Sequence, residues 1–438
     1  MSIFYKITFM KRFIIPVSLL LFVCAPVRAD KRDEALSRAL SLDFKREITK
    51  FKAGRKVYAR LAKAGVPAGG LRVAVRRDPA GAIAFYSDSD NTIYFNSGLL
   101  SGFFAMNGAD AGALIELLRR DPKARAALVG RADATFLHEM VHAIQYRLYP
   151  NYRRDVPEGI PLEFEYEAYM TDTMYTHEKL RGAPELLKAF LKGERNDVYT
   201  VAAMNAYLAL SMDLDAYKEK IRKVYEDELG GFISLEDAER LQRSPVAQSK
   251  IVAYASGRMG EYEDKRASLA KVRAEKEAYA VFFRDYYEKR WPSFSAEALF
   301  FIGSSALDAG AYPLALECLA VADVNAVKSG VPQGDLVKLR EKGALAILGA
   351  AAYIKDNAGT MRLEDLSLHL KALEKACANT GRPFPEALAA LRDVTYPKAF
   401  RFYSEKAAAE KDPKKAGVYT ENAEYFLRAQ KDPDGLPE

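Results

Sequence analysis

The chain has 438 residues, of which 49% are apolar and 28% are charged, a composition typical of a folded protein with two or three domains. The formal net charge is +6, and it falls to +2 without residues 1–29, which carry four basic and no acidic side chains. This near-neutral balance gives no electrostatic basis for binding nucleic acid or an anionic membrane surface. The three cysteines form no Cys-x-x-Cys pair, which excludes a thiolate zinc knuckle and a dithiol redox motif.

Residues 1–29 are typical of a secretory signal peptide. Lys11 and Arg12 precede the apolar run FIIPVSLLLFVC, which is too short to span a bilayer. Val27 and Ala29 then supply the small residues of a cleavage site. We therefore expect a secreted or periplasmic protein of the bacterial envelope, with no membrane span after signal cleavage.

The next segments predict a helix followed by strands. Residues 33–64 predict one amphipathic helix that ends near Gly65-Val66-Pro67. The segments LRVAV and AIAFYSDSDNTIYFN are rich in β-branched and aromatic residues and predict two or three short strands. The last strand is predicted at about Thr92–Phe95, after a turn at Asp88–Asn91. Helical periodicity returns at Asp110.

Two further helices carry most of the chain's chemical signals. The stretch ATFLHEMVHAIQ, residues 134–145, belongs to a helix predicted from a cap at Asp133 to just before Pro150. A second helix is predicted from Pro161, a preferred first helical residue, to Gly182. Beyond it the sequence predicts helices and short turns without strands.

One segment of the C-terminal part, LFFIGSSALDAGAYPLALECLAVA, resembles a tetratricopeptide repeat. Its small and aromatic residues fall at the packing positions of such a repeat: Gly303, Gly310, Tyr312, Ala315, Leu319 and Ala322. The flanking helices match the repeat poorly, so an ordinary helical hairpin with small residues at its crossing is an equal alternative. The two cysteines outside the signal peptide, Cys318 and Cys377, lie in apolar helical settings and could pair or remain buried thiols.

The spacing of two histidines indicates a metal site. His138 and His142 lie four residues apart, so a helix places both imidazoles on one face. Two imidazole nitrogens can share one tetrahedral ion, and nitrogen ligands suit zinc. Glu139 is displaced by about a third of a turn, where its carboxylate can take the proton of a metal-activated water without binding the metal. The alternative is a buried helix whose histidines have this spacing by chance, but the uncharged residues around them favour a metal site.

The stretch Thr135–Ile144 resembles the zinc-binding helix of the zincin metallopeptidases. The metzincin branch requires glycine at 145 and histidine at 148, whereas this chain has Gln145 and Leu148. The gluzincin branch takes a glutamate from a following helix, and EFEYEAYMTD, which begins at Glu163, is the candidate for that helix. The resemblance covers about residues 70–180.

Two glutamates of that helix fit the gluzincin pattern of a third ligand. Glu165 has Ala168 three residues on, and Glu167 directly precedes the same alanine. The two glutamates point to opposite sides of a helix, so only one of them can bind the metal. Glu165 is favoured because it shares its face with Asp172, which could support a histidine from behind, and Glu167 remains the alternative.

The resemblance also implies groups that handle the substrate. His177, Tyr166 and Tyr169 are candidates for polarising the substrate carbonyl, although a helix-end or packing role fits each of them. Zincins present an edge strand beside the metal helix, with which an extended peptide can pair. NTIYFN is the candidate for that strand.

Together these patterns predict an α+β fold in which a small zincin-like domain precedes an all-helical region. The expected divisions are a signal peptide over 1–29, a zincin-like metallopeptidase domain over 30–190, a helical region over 191–290, and a helical, tetratricopeptide-like region over 291–438.

The leading hypothesis is a secreted metallopeptidase that cleaves a peptide or protein substrate. It would bind Zn²⁺ through His138, His142 and Glu165, use Glu139 as general base, and could bind a protein partner on its helical C-terminal region. The competing hypothesis is a helical-repeat binding protein whose zincin-like domain has lost turnover. The intact Glu139 favours the enzyme, because a structural metal site does not need this carboxylate.

Overall fold

The computed structural model describes residues 31–67, 70–76, 83–98, 100, 104, 111–154, 162–191, 198–228 and 259–431. These residues are mostly helical with one small three-stranded sheet, in agreement with the predicted α+β class. The expected signal peptide lies outside them, as do Asp110 and Pro161, the predicted starts of two helices. Within the described part of the chain, no helix is both long enough and apolar enough to cross a membrane.

The described residues form two compact units. The first, called the sheet unit, contains those of Thr8–Gly182 and Leu214–Lys289. The second, called the helical unit, contains those of Ala183–Asp213 and Arg290–Glu438. The described residues of 191–290, predicted as one helical region, therefore fall in both units.

The sheet unit begins with two helices, α1 (Lys31–Ile48) and α2 (Lys52–Lys63). The prediction of a single helix over this segment is wrong. Phe51 is extended, with φ −104° and ψ 148°, and the chain turns there without a proline or glycine that would mark the break in the sequence. Gly54 permits the close return, because a Cβ at this position would lie 2.1 Å from the carbonyl oxygen of Ile48.

The sheet consists of β1 (Arg72–Arg76), β2 (Ala84–Ser87) and β3 (Thr92–Asn96), in the order β1-β3-β2. β3 is parallel to β1 and antiparallel to β2, to which it is joined by a turn with Asn91 at φ 55°. The prediction of two or three short strands is thus confirmed, but the expectation that NTIYFN forms the sheet edge is wrong. Four of the five residues of β3 are buried, as befits a central strand, and β2 is the antiparallel edge of the described sheet.

The histidine-bearing helix, α4 (Pro122–Leu148), follows α3 (Ala111–Arg120). The predicted start of α4 at Asp133 is wrong. The helix is capped at Asp121, whose side chain accepts a hydrogen bond of 2.8 Å from the backbone of Lys123. Asp133 is instead buried inside the helix, where local sequence could not distinguish it from a cap. The end of the helix before Pro150 is confirmed.

The remaining described elements of the sheet unit are helical: α5 (Pro150–Arg154), α6 (Leu162–Arg181), α9 (Leu214–Glu228), α10 (Met259–Phe283) and a π-helical turn (Arg284–Glu288). Those of the helical unit are α7 (Pro184–Leu191), α8 (Val198–Met212), α11 (Trp291–Asp308), α12 (Tyr312–Lys328), α13 (Gln333–Asn357), α14 (Leu363–Asn379), α15 (Glu386–Ala409) and α16 (Pro413–Lys431).

The core of the sheet unit buries α4 against α1 and the sheet. The ring of Phe44 on α1 stacks between Phe95 of β3 and Phe136 of α4, with centroids 5.6 and 4.3 Å away. Every residue of α4 from Phe136 to Tyr146 is buried. Polar side chains in this stretch therefore need partners inside the protein, because burying them unpaired costs several kcal/mol, ~2–7 each.

The helical unit is held together by close packing of neighbouring helices. Gly303 of α11 faces Leu319 of α12, in the segment that resembles a tetratricopeptide repeat. A Cβ at Gly303 would lie 2.7 Å from Leu319 Cγ and 3.2 Å from the Cβ of Cys318. Cys318 and Cys377 are both buried and free.

We expect Gly303→Ala to destabilise the helical unit by about 1–3 kcal/mol, because the added methyl overpacks the crossing of α11 and α12. Gly343→Ala is the matched control: it lies within α13, and a Cβ there would meet no atom within 4 Å. The control should stabilise the protein by about 0.5–1 kcal/mol through helix propensity. Thermal unfolding measures both, and equal shifts for the two variants would contradict the packing described.

Candidate metal centre

The two histidines of α4 face one another within a buried site. His138 is 8% exposed and His142 is 3% exposed, and their Nε2 atoms lie 3.2 Å apart. The four-residue spacing places them one turn apart, as the sequence predicts. Phe136, two residues before the first histidine, anchors this part of α4 in the aromatic core.

Glu165 of α6 completes the cluster. Its Oε2 lies 3.4 Å from His138 Nε2 and its Oε1 lies 3.3 Å from His142 Nε2. The three side chains can each offer a ligand atom within 4.8 Å of the others, the one such group among the described residues. Ligands at 2.0–2.1 Å from a tetrahedral zinc are separated by about 3.3–3.4 Å, so these spacings fit a shared zinc ion.

The Nδ1 atom of each imidazole, on the side away from the cluster, faces a hydrogen-bond acceptor. Nδ1 of His138 lies 3.2 Å from Asp172 Oδ2, and Nδ1 of His142 lies 2.8 Å from Gln145 Oε1. Each Nδ1 therefore carries the proton in the neutral ring, and each Nε2 directs its lone pair at the cluster. With the carboxylate of Glu165, three lone-pair donors converge on one buried position, and a set of two imidazoles and a carboxylate suits a zinc ion.

The electrostatic field of the cluster favours positive charge at its centre. Burial lowers the pKa of His138, but the hydrogen bonds with Asp172 and Glu165 outweigh it and raise this pKa well above its usual value. Burial also lowers the pKa of His142, but the nearby Glu165 carboxylate outweighs burial, and this pKa is raised as well. Burial raises the pKa of Glu165, but the two histidines lower it far below the ordinary range. Protons and a metal cation thus compete for the same position.

Glu139 is buried beside the cluster without being part of it. Burial raises its pKa, the change expected of a carboxylate that must accept a proton near neutral pH. The backbone N–H of Tyr86 in β2 donates a hydrogen bond to this carboxylate. The N–H of Asn96 donates to the carbonyl oxygen of Ile83 at 2.9 Å, so these two residues form a hydrogen-bonded pair between β3 and β2. Such pairs alternate with non-hydrogen-bonded pairs along an antiparallel ladder, and Tyr86, three residues after Ile83, belongs to a non-hydrogen-bonded pair. Its backbone N–H and C=O groups therefore face away from β3. The outer edge of β2 therefore lies beside Glu139.

The structure places Glu167 and His177 away from the cluster. The carboxylate of Glu167 lies on the other side of α6, with Oε1 2.7 Å from Arg60 Nη2. His177 follows Glu165 by 12 residues, about 18 Å along the helix axis. Burial, with a smaller contribution from Arg181, lowers the pKa of His177 to about 4. This imidazole is therefore neutral at pH 7 and remote from the reacting groups.

The two tyrosines considered for polarising a carbonyl differ in position. The ring of Tyr169 packs edge-on against His138, with centroids 4.6 Å apart. The ring of Tyr166 lies 6.0 Å from the ammonium group of Lys218. Of the three candidates for that role, Tyr169 alone is in contact with the histidine cluster among the contacts described.

Two features of the site were missed in the sequence. Gln145 supports His142 from behind, and its signal was present, because a residue three positions after the histidine shares its helix face. Tyr86 meets Glu139 through its backbone N–H, which no side-chain pattern reveals. Comparison with known protein families, with curated proteins and with solved structures found no match to this chain.

We expect the purified protein to bind one zinc ion and His138→Ala/His142→Ala to bind none, because only one of three protein ligands remains. Metal content after dialysis, measured by atomic emission, tests this. His177→Ala/His369→Ala is the control, since it removes two imidazoles that are not part of the cluster, one near the end of α6 and one in α14 of the helical unit. Stoichiometric zinc in the first double variant would contradict the site.

We expect Glu165→Ala to weaken zinc binding by orders of magnitude, because it removes one of three protein ligands. Glu163→Ala, an exposed glutamate at the start of the same helix, should leave zinc affinity unchanged. Competition with a chromophoric chelator gives both dissociation constants. Equal affinities for the two variants would place the third ligand elsewhere.

Proposed function

We propose that this chain is a zinc-dependent metallopeptidase of the gluzincin type, exported by its N-terminal signal peptide. The observation that carries the proposal is the convergence of His138, His142 and Glu165, with the non-ligand Glu139 buried beside them. A site that served structure alone would have no use for this additional carboxylate, whose burial costs free energy. The proposal therefore favours an enzyme over a binding protein with an inactive domain.

The ligand set fits zinc by donor type and by spacing. Zinc held by these three side chains would act as a Lewis acid on the substrate carbonyl and on the attacking water. Glu139 would accept the proton of that water and deliver it to the leaving amine as the peptide C–N bond breaks. Burial raises the pKa of Glu139 and so brings this pKa closer to neutral pH, where the side chain must both accept and release a proton.

The position of the sheet edge favours a polypeptide as the substrate. β2 has one neighbour among the described strands, and the backbone of Tyr86 at its outer edge reaches Glu139. An extended peptide that paired with this edge would pass directly beside the general base. Tyr169, in contact with His138, is the candidate for polarising the carbonyl from the other side of the cluster. The helical C-terminal region would bind a protein partner or position the substrate.

Glu139→Gln should retain zinc, because Glu139 is not a ligand, and should lower kcat by about 10²–10⁴-fold, because the water loses its base. Cleavage of fluorescein-labelled casein by the zinc-loaded protein is the assay, with a chelator-treated sample as the zero. Glu163→Gln provides the same chemical change away from the site and should be fully active. Zinc-loaded wild type without cleavage of casein or of a random peptide mixture would favour the binding protein instead, and full activity of Glu139→Gln would contradict the mechanism.

A further inference from the structure

Gln145 stands behind His142, on the side away from the cluster. Its side chain is fully buried, and its Oε1 lies 2.8 Å from His142 Nδ1. A side-chain amide can present either its oxygen or its NH₂ group to an imidazole. Only the oxygen keeps the proton on Nδ1 and leaves the Nε2 lone pair for a metal. The function of this histidine thus depends on what fixes the orientation of the amide.

Two acceptors fix that orientation. The Nε2 of Gln145 donates to the carbonyl oxygen of Phe164 at 3.0 Å and to Glu167 Oε2 at 2.9 Å. Neither partner can donate a hydrogen, so the NH₂ group must face both of them and the oxygen must face His142. The carboxylate contributes the stronger of these two bonds, since a charged acceptor strengthens a hydrogen bond.

Glu167 is itself held in one orientation by the groups around it. It is fully buried, and Arg60 Nη2 lies 2.7 Å from its Oε1. The hydroxyl of Tyr279 lies 3.0 Å from Glu167 Oε2 and also contacts the carbonyl oxygen of Glu163 at 2.7 Å. The hydroxyl of Tyr287 lies 3.3 Å from Glu167 Oε1 and also contacts Thr171 at 2.9 Å. The guanidinium of Arg60 lies over the ring of Phe282, 4.9 Å from its centroid, which fixes the cation in turn. These contacts satisfy the buried carboxylate and fix the position of its oxygens.

We propose that Glu167 is a positioning residue of the metal centre. It holds the amide of Gln145 so that the amide oxygen accepts the Nδ1 proton of His142. The Nε2 lone pair of that histidine then faces the metal. This inference rests on the zinc site proposed above, and it gives Glu167, the alternative candidate for third ligand, a role two hydrogen bonds behind His142, through Gln145.

Glu167→Gln tests the inference. The new amide has one acceptor oxygen where the carboxylate had two, so its NH₂ group must face a donor, either Gln145 or Arg60. In the first case Gln145 loses its acceptor, and in the second it keeps only an uncharged one, so its amide is held less firmly. We expect the zinc dissociation constant to rise about 10- to 100-fold, the usual effect of losing an outer partner of a metal-bound histidine. Competition with a chromophoric chelator measures it. Glu163→Gln, the same change on the same helix without a path to His142, should match wild type.

A spectroscopic readout separates positioning from general loosening. In the zinc-loaded protein labelled with ¹⁵N-histidine, the Nδ1 protons of His138 and His142 should both give protected downfield signals, because each is held in a buried hydrogen bond. Glu167→Gln should broaden or shift the signal of His142 and leave that of His138, which depends on Asp172. Gln145→Met, which removes the acceptor but keeps the side chain's length, identifies the His142 signal and should show the same loss of affinity.

The outcomes are distinct. Weaker zinc binding together with selective loss of the His142 signal, in Glu167→Gln and in Gln145→Met, supports the inference. Wild-type affinity and both signals intact in Glu167→Gln overturn it, as does equal loss of both signals, which would mean that the substitution only loosens the fold. A wild-type protein that binds no zinc would contradict the proposed function itself, before any variant is compared.

Discussion

Three lone-pair donors face one another in the buried part of the sheet unit, and this arrangement requires a positive charge between them. The Nε2 atoms of His138 and His142 and the carboxylate of Glu165 are separated by 3.2–3.4 Å. Without a cation the three groups would repel one another in a medium of low dielectric constant. A proton can relieve that repulsion in part, and the zinc ion proposed above would relieve it by binding all three groups.

The rest of the sheet unit maintains this convergence. α4 and α6 are tied together on both sides of the cluster. On one side Asp133 accepts hydrogen bonds from Tyr175 at 2.7 Å and from Lys179 at 2.6 Å. On the other side Gln145 donates to the backbone and to a carboxylate of α6. Because each tie buries polar groups that are fully satisfied, sliding of one helix along the other would leave several of them unpaired, at a cost of about 1–3 kcal/mol each. The ligand geometry is thereby preorganised.

The sequence predicted those parts of the site that depend on spacing within one helix. The pair His138 and His142 follows from a four-residue interval, and the association of Glu165 with Asp172 follows from a seven-residue interval. Parts that depend on pairing between distant segments were missed or misread. Asp133 has the local features of a helix cap, and its partners Tyr175 and Lys179 lie 42 and 46 residues away, where no local pattern connects them to it. The order of the strands could not be read from their composition, so the central strand was taken for the edge.

The supporting network illustrates the same limit. Arg60 reaches Glu167 from a helix more than 100 residues earlier in the chain, and no local pattern connects the two. Gln145 entered the sequence analysis only as a residue that excludes the metzincin pattern, although its position behind His142 was within reach of helix geometry.

X-ray absorption at the zinc K-edge tests the central claim most directly, because it reports the donors around the metal without reference to any substrate. The account predicts a first shell of nitrogen and oxygen atoms at about 2.0–2.1 Å, with the outer scattering of two imidazoles and no sulfur. A sulfur shell at about 2.3 Å, which would implicate Cys318 or Cys377, or the outer scattering of fewer than two imidazoles, would contradict it.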